Sequence, residues 1–269
     1  MADATIDLRL SAIEMLKAEG RIMHALMLRI IKSRLGGNEF GFVVMGIGWP
    51  LSHILLLLII NTALGRATPY GDSAALWFAT GIVPFIAFQY MARFIMVGTV
   101  VNRALFSFPV VKVADFVFAA AIVEVLNAGL VVMIVGAIFW AFGIDFMPRD
   151  VVQAGLAMLA MMLLGLAWGV IGAVAGAVAP GLMMPFFLFQ IVMWISSGIL
   201  FVPDALPEAI RTPLSYLPYL QGVEWMRSAY YDGFGAAVLD KTYMLSFTVV
   251  LLFVGLALER LIRGRLLLQ

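Results

Sequence analysis

From Phe42 to Leu64 the chain carries no Asp, Glu, Lys or Arg. As a helix, these residues measure about 34 Å, against about 30 Å for the hydrocarbon core of a bilayer. Comparable runs recur along all 269 residues, and they restrict the fold more than any motif does. Inside lipid the backbone must satisfy its own hydrogen bonds, so apolar runs of this length are read as helices rather than open strands. Six spans are expected, at 42–64, 73–101, 114–142, 151–179, 182–203 and 242–259. The fold class that follows is an all-α integral membrane protein.

Composition excludes a soluble reading. Hydrophobic residues make up 64% of the chain and charged residues 12%, where a soluble domain has near half and a quarter. Six spans and their connectors leave no room for a separate catalytic domain, so residues 1–269 are expected to form a single transmembrane domain. The chain has no cysteine, which removes disulfides, thiolate catalysis and cysteine-bound metal.

The first forty residues are rich in charge, from Asp3 to Glu39, unlike a cleavable signal peptide, whose basic start leads quickly into an apolar core. Basic residues then set the orientation. One side holds Arg9, Lys17, Arg21, Arg29, Lys32, Arg34, Arg103, Lys112, Arg260, Arg263 and Arg265. The other holds Arg66, Arg149, Arg211, Arg227 and Lys241. Eleven against five places both termini in the cytoplasm.

Two connectors stand out. Over 15–36, Ile22, Met23, Leu26, Met27, Ile30 and Ile31 recur at helical spacing, with Arg21, His24, Arg29 and Lys32 largely off that stripe. This predicts an amphipathic interfacial helix, or else a surface helix packed on protein. Segment 204–241 is apolar yet broken by Pro207, Pro213 and Pro218. It suits re-entrant half-helices between spans five and six, or a loop folded on the outer surface.

An ionisable residue inside a span is a candidate functional residue. Arg93 and Glu124 fall at similar depth in the antiparallel second and third spans, about 12 to 15 Å from the cytoplasmic boundary. They are expected to form an intramembrane ion pair, either as a lock on this hairpin or with Arg93 free for substrate. Gly165, Gly169, Gly172 and Gly176 form a small-residue stripe for internal packing or a subunit interface. Aromatic and polar side chains are candidates to line a conduit: Trp49, His53, Phe85, Phe88, Tyr90, Arg93, Trp168, Trp194, Tyr216, Tyr219 and Trp225.

No energy source is evident in the sequence. Lys-Ser/Thr occurs only at Lys32-Ser33 and Lys241-Thr242, without the preceding glycine of a phosphate-binding loop. Paired inverted repeats and several buried carboxylates, expected of an ion-coupled carrier, are also missing. Two histidines offer no metal cluster. The chain therefore reads as a transport subunit without catalysis, metal or cofactor of its own.

Four ordered stretches carry a resemblance. They are Leu28-Arg29-Ile30-Ile31-Lys32-Ser33-Arg34-Leu35-Gly36 with Gly41 and Trp49-Pro50; Asn102 to Val110; Ser197-Gly198-Ile199-Leu200-Phe201 with Leu206-Pro207; and Leu217 to Arg227. In order and spacing the chain resembles the membrane (permease) subunits of type-2 ABC exporters, specifically those of capsular-polysaccharide and O-antigen export. It departs from them at Ser215-Tyr216-Leu217-Pro218, which lacks the usual Asn before the proline, and at Trp49, where an acidic residue is common.

The resemblance implies a homodimer in the bacterial inner membrane around a central conduit, docked to two copies of a cytoplasmic ABC ATPase that binds ATP and magnesium. A lipid-linked polysaccharide is the implied cargo, with periplasmic co-polymerase-type and outer-membrane export proteins as further partners. It makes 102–113 a cytoplasmic coupling helix, with Asn102, Arg103, Leu105, Phe106, Phe108, Pro109 and Lys112 facing the ATPase. Arg29, Lys32 and Arg34 become candidates for substrate entry or anionic lipid. A permease for O-antigen, a drug or a lipid is the alternative of the same kind, and an ion-coupled carrier that of another.

Overall fold

The computed structural model describes residues 12–34, 43–65, 68–108, 110–235 and 237–268. Helix α1 (Ala12–Arg34) is followed by a π-helical turn (Val43–Gly48) that leads into α2 (Trp49–Ala63). The long helices α3 (Ala74–Val101), α4 (Val113–Ala141) and α5 (Val151–Val178) come next, then the shorter α6 (Met183–Ile195). Two short helices, α7 (Glu208–Ser215) and α8 (Pro218–Ser228), precede α9 (Lys241–Leu268). No strand occurs among the described residues.

Among the described residues, five segments are long and apolar enough to cross a membrane: Gly46–Ala63, α3, α4, α5 and Lys241–Ile262. Polar side chains start four of the long helices. Ser73 Oγ accepts from Leu76 N, Asp150 Oδ1 from Gln153 N and Asp240 Oδ1 from Tyr243 N. At the opposite end Asp115 Oδ2 accepts from Lys112 N, so the buried Asp115 caps α4.

The expected fifth span, 182–203, is helical only as far as Ile195, about 20 Å of rise. Beyond it, the Ser196 and Ser197 hydroxyls donate back to the Val192 and Trp194 carbonyls. Gly198 then turns the chain at φ +80°, a conformation that side-chain-bearing residues rarely adopt.

The glycine stripe sets the centre of the bundle. A Cβ on Gly165 would stand 2.6 Å from the Phe88 carbonyl oxygen, one on Gly169 2.7 Å from Ile95 Cβ, and one on Gly172 2.7 Å from Met96 Sδ. The partners advance together, so α3 and α5 run parallel in close backbone contact. This is internal packing of small residues, and α3 against α5 is the largest contact between helices. α9 lies on α5, α2 on α3, and α1 on α4. α4 meets α5 only lightly, leaving an apolar groove of about 460 Å3.

Leu26 and Ile30 of α1 are buried in a cluster with Phe106, Phe116, Val117 and Ala120. With Ile22, Met23, Met27 and Ile31 partly buried beside them, this face of α1 packs onto protein. That end of the bundle is called the α1 end here. The opposite end holds the second cluster, where α8 wedges between α3, α5 and α9.

Candidate functional site

At the middle of the bundle α2, α3 and α6 bring polar side chains together in an otherwise apolar setting. His53 of α2 stands 6.3 Å from Tyr90 of α3, ring centre to ring centre. Arg93 follows one turn along α3 and acts electrostatically on both. Its guanidinium lies 5.3 Å from the centroid of the Phe187 ring on α6, within cation–π range. Gln89 Nε2 donates to the Gln190 carbonyl at 3.3 Å and ties α3 to α6. Phe187, Gln89 and Gln190 are absent from the sequence-based candidates, because nothing in the sequence shows which residue of α6 faces Arg93.

The expected ion pair is not what the packing gives. Arg93 is exposed and turned toward α6, and among the described residues no carboxylate pairs with it and no acceptor takes its N–H groups. Glu124 is buried on α4. With Asn127, Tyr90, Pro50 and Ile54 it lines a cavity of about 20 Å3, room for one water. Asn127 Nδ2 has no hydrogen-bond partner there. The two residues share a depth and use different faces of the α3–α4 hairpin.

The aromatic candidates separate by burial. Phe85 and Phe88 are buried between α3 and its neighbours, and Tyr219 packs edge-on to Phe85 at 6.2 Å. Trp225 is buried too, donating Nε1–H to Gln153 Oε1. These four are buried within the chain, since their faces of α3 and α8 are covered by other helices. Trp49 and Tyr216 are exposed, and Trp194 is half-buried. Half-buried Trp168 stacks on Phe189 of α6, ring centres 5.7 Å apart.

At the α1 end, Arg103–Ser107 forms a single tight helical turn between α3 and α4. The Asn102 side chain donates to the Gly98 carbonyl. Leu105 and Phe106 point inward, with Phe106 edge-on to Phe116 at 6.1 Å. Arg103, Phe108 and Lys112 are exposed, and Lys112 Nζ pairs with Glu19 Oε1 of α1 at 2.7 Å. Arg29 and Lys32 are exposed on α1. Pro109 and the side chain of Arg34 lie outside the described residues.

At the other end α8 carries Glu224 and Arg227, both fully buried. Arg227 donates to the carbonyls of Gly198 and Ile199 at 2.7 and 2.9 Å, and its guanidinium sits 3.8 Å from the Trp77 ring centre. Glu224 Oε1 stands 3.9 Å from Arg227 Nη1, and neither carboxylate oxygen has a hydrogen-bond partner. Burial pushes Glu224 up to about 8, against the pull of Arg227, and pushes Arg227 down to about 10. Gln221 binds the Ser215 and Val238 carbonyls and the Asp240 N–H, while Lys241 shares Gln153 with Trp225. A Glu and an Arg three residues apart in an apolar helix were the sequence signal for this clasp, and the site candidates did not include them.

No family model matches the chain. Among individual proteins, the polysialic acid transport protein KpsM of Escherichia coli is 28% identical over 239 residues, 88% of this chain and 92% of its own. The capsule polysaccharide export inner-membrane protein CtrC of Neisseria meningitidis serogroup B is 27% identical over 248 residues, 91% of this chain and 92% of its own. BexB of Haemophilus influenzae, a capsule polysaccharide export inner-membrane protein, is 22% identical over 249 residues, again 91% and 92%. Over about nine tenths of its length, this chain resembles the inner-membrane permease proteins of capsule-polysaccharide export.

Proposed function

We propose that this chain is the transmembrane subunit of an ATP-driven exporter that moves a lipid-linked capsular polysaccharide across the inner membrane. The observation that carries this reading is the likeness, over about nine tenths of the chain, to capsule-export inner-membrane proteins, in a chain with five membrane-length apolar helices and no strand among its described residues. In the proposed arrangement 1–269 is one permease domain with six spans. Helix α6 and the turn after it make the fifth crossing, and 204–241 dips back into the outer face. Both termini, and hence the α1 end, are cytoplasmic.

Energy comes from two copies of a separate ATPase, which hold the ATP and magnesium and dock on a homodimer of this chain. Exposed Arg103 and Phe108 receive the ATPase. Leu105 and Phe106, buried against α4, pass its closure into α3 and α4. Arg29 and Lys32 attract an anionic lipid or the incoming glycolipid at the membrane surface. Periplasmic and outer-membrane export proteins continue the path.

The test is deletion of the gene in its capsulated host. Polymer should accumulate inside the cell and vanish from the surface, and return of the gene should restore it. Polymer reaching the surface at the normal rate without this chain would end the reading.

A further inference from the structure

The two internal arginines have opposite environments. Arg227 is sealed in protein, with carbonyl acceptors and an aromatic face. Arg93 is exposed on a membrane-length helix. Its Cα lies about 12 Å along the helix from the Val101 end. A guanidinium at such depth is costly unless it is paired or hydrogen-bonded. The Phe187 face offsets part of that, but among the described residues no carboxylate cancels the charge and no acceptor takes the five N–H donors. Tyr90 and His53, one turn away and on the facing helix, add a hydroxyl and an imidazole. His53 lies on α2, Tyr90 and Arg93 on α3 and Phe187 on α6, where Trp49, Leu188 and Phe189 are left exposed.

A planar fork of donors with its ring support in place and no acceptor is matched by an oxyanion, which takes two parallel N–H bonds. We infer that Arg93, with Tyr90 and His53 beside it, is an oxyanion-binding site at membrane depth that engages a phosphate or carboxylate of the transported molecule. The inference rests on the export reading and names the chemistry that its cargo must carry. The oxyanion has two possible sources, a phosphate at the lipid end or acid groups along the sugar chain. A site with one charge and aromatic walls holds either one weakly enough to release it.

The full-length chain in phosphatidylcholine nanodiscs is titrated with three probes: a polyprenyl monophosphate, an oligogalacturonate and an uncharged malto-oligosaccharide. At least one anionic probe should bind, with its affinity at least tenfold weaker in Arg93→Gln and less weakened in Arg93→Lys, which keeps the charge and loses the fork, while the neutral sugar ignores both changes. Dependence of the phosphate probe alone assigns the lipid end, and dependence of the uronate alone assigns the polymer. Equal affinities for wild type and Arg93→Gln, binding of neither anion, or an equal loss for the neutral sugar overturns the inference. Thermal unfolding of each variant separates lost binding from lost folding. Phe187→Leu, which keeps the charge and removes its ring support, should weaken the same probe.

The capsule experiment keeps the two readings apart. If deletion abolishes export while Arg93→Gln exports and binds like wild type, the site falls and the function stands. If Arg93-dependent anion binding persists although deletion leaves export untouched, the export reading falls.

Discussion

Arg227 of α8 lies 3.8 Å from the centre of the Trp77 ring on α3 and donates to both the Gly198 and Ile199 carbonyls. One side chain thus joins the start of α3, the turn after α6 and α8. Removing the guanidinium leaves two buried carbonyls without their donor, at about 1–3 kcal/mol each. Arg227→Met should therefore cost about 2–6 kcal/mol, read as thermal or denaturant unfolding in detergent. Arg227→Lys should also be strongly destabilising, because an ammonium cannot cover the ring and donate to both carbonyls in that fork.

Glu224 gives the clasp a pH dependence. Burial raises its pKa from 4.5 to about 8, so the folded state favours the neutral acid. The stabilisation is fully present below pH 4.5, declines as the unfolded chain ionises, and is lost once pH passes about 8. Wild-type stability measured from pH 5 to 8.5 should fall more steeply than that of Glu224→Gln. Parallel profiles would show that Glu224 does not titrate in this window.

The α3–α5 contact makes a contrast between two glycines of one helix. Gly169→Ala places a Cβ against Ile95 and the Ala92 carbonyl and should cost about 1–3 kcal/mol by overpacking. Gly155→Ala meets nothing within 4 Å and should be neutral or stabilising by up to about 1 kcal/mol through helix propensity. Unfolding of the purified proteins decides both.

The connector after α3 separates folding from coupling. Phe106→Ala empties a buried position beside Phe116 and should cost about 3–5 kcal/mol. Exposed Phe108→Ala should stay within about 0.5 kcal/mol of wild type. If this connector receives the ATPase, Phe108→Ala will nonetheless reduce surface polymer in cells. Normal export in a stable Phe108→Ala protein would remove Phe108 from the docking surface.

The Lys112–Glu19 contact is exposed on both sides, and pairs of this kind contribute about 0–1 kcal/mol. Lys112→Ala and Glu19→Ala should each change stability by less than about 1 kcal/mol, and the double variant by less than the sum. A larger loss would mean that α1 is held to α4 by charge more than by buried Leu26 and Ile30.

Much of this protein is determined by its sequence alone. Uncharged runs of membrane length dictate helices, because only helices satisfy a lone stretch of backbone in lipid. Gly165, Gly169 and Gly172 dictate a close helix contact, and Asp150 and Ser73 dictate where helices begin. The facing of each helix is a different matter. Core and lipid are both apolar, so α3 shows no stripe from which to separate buried Phe85 and Phe88 from exposed Arg93. Depth alone suggested an Arg93–Glu124 pair. Tertiary packing decided otherwise, because α6 presents Phe187 to Arg93 while α2 and α3 enclose Glu124. The early end of α6 and the sealing of Arg227 were likewise decided in three dimensions, by a glycine turn whose carbonyls meet a guanidinium arriving from nearly thirty residues along the chain.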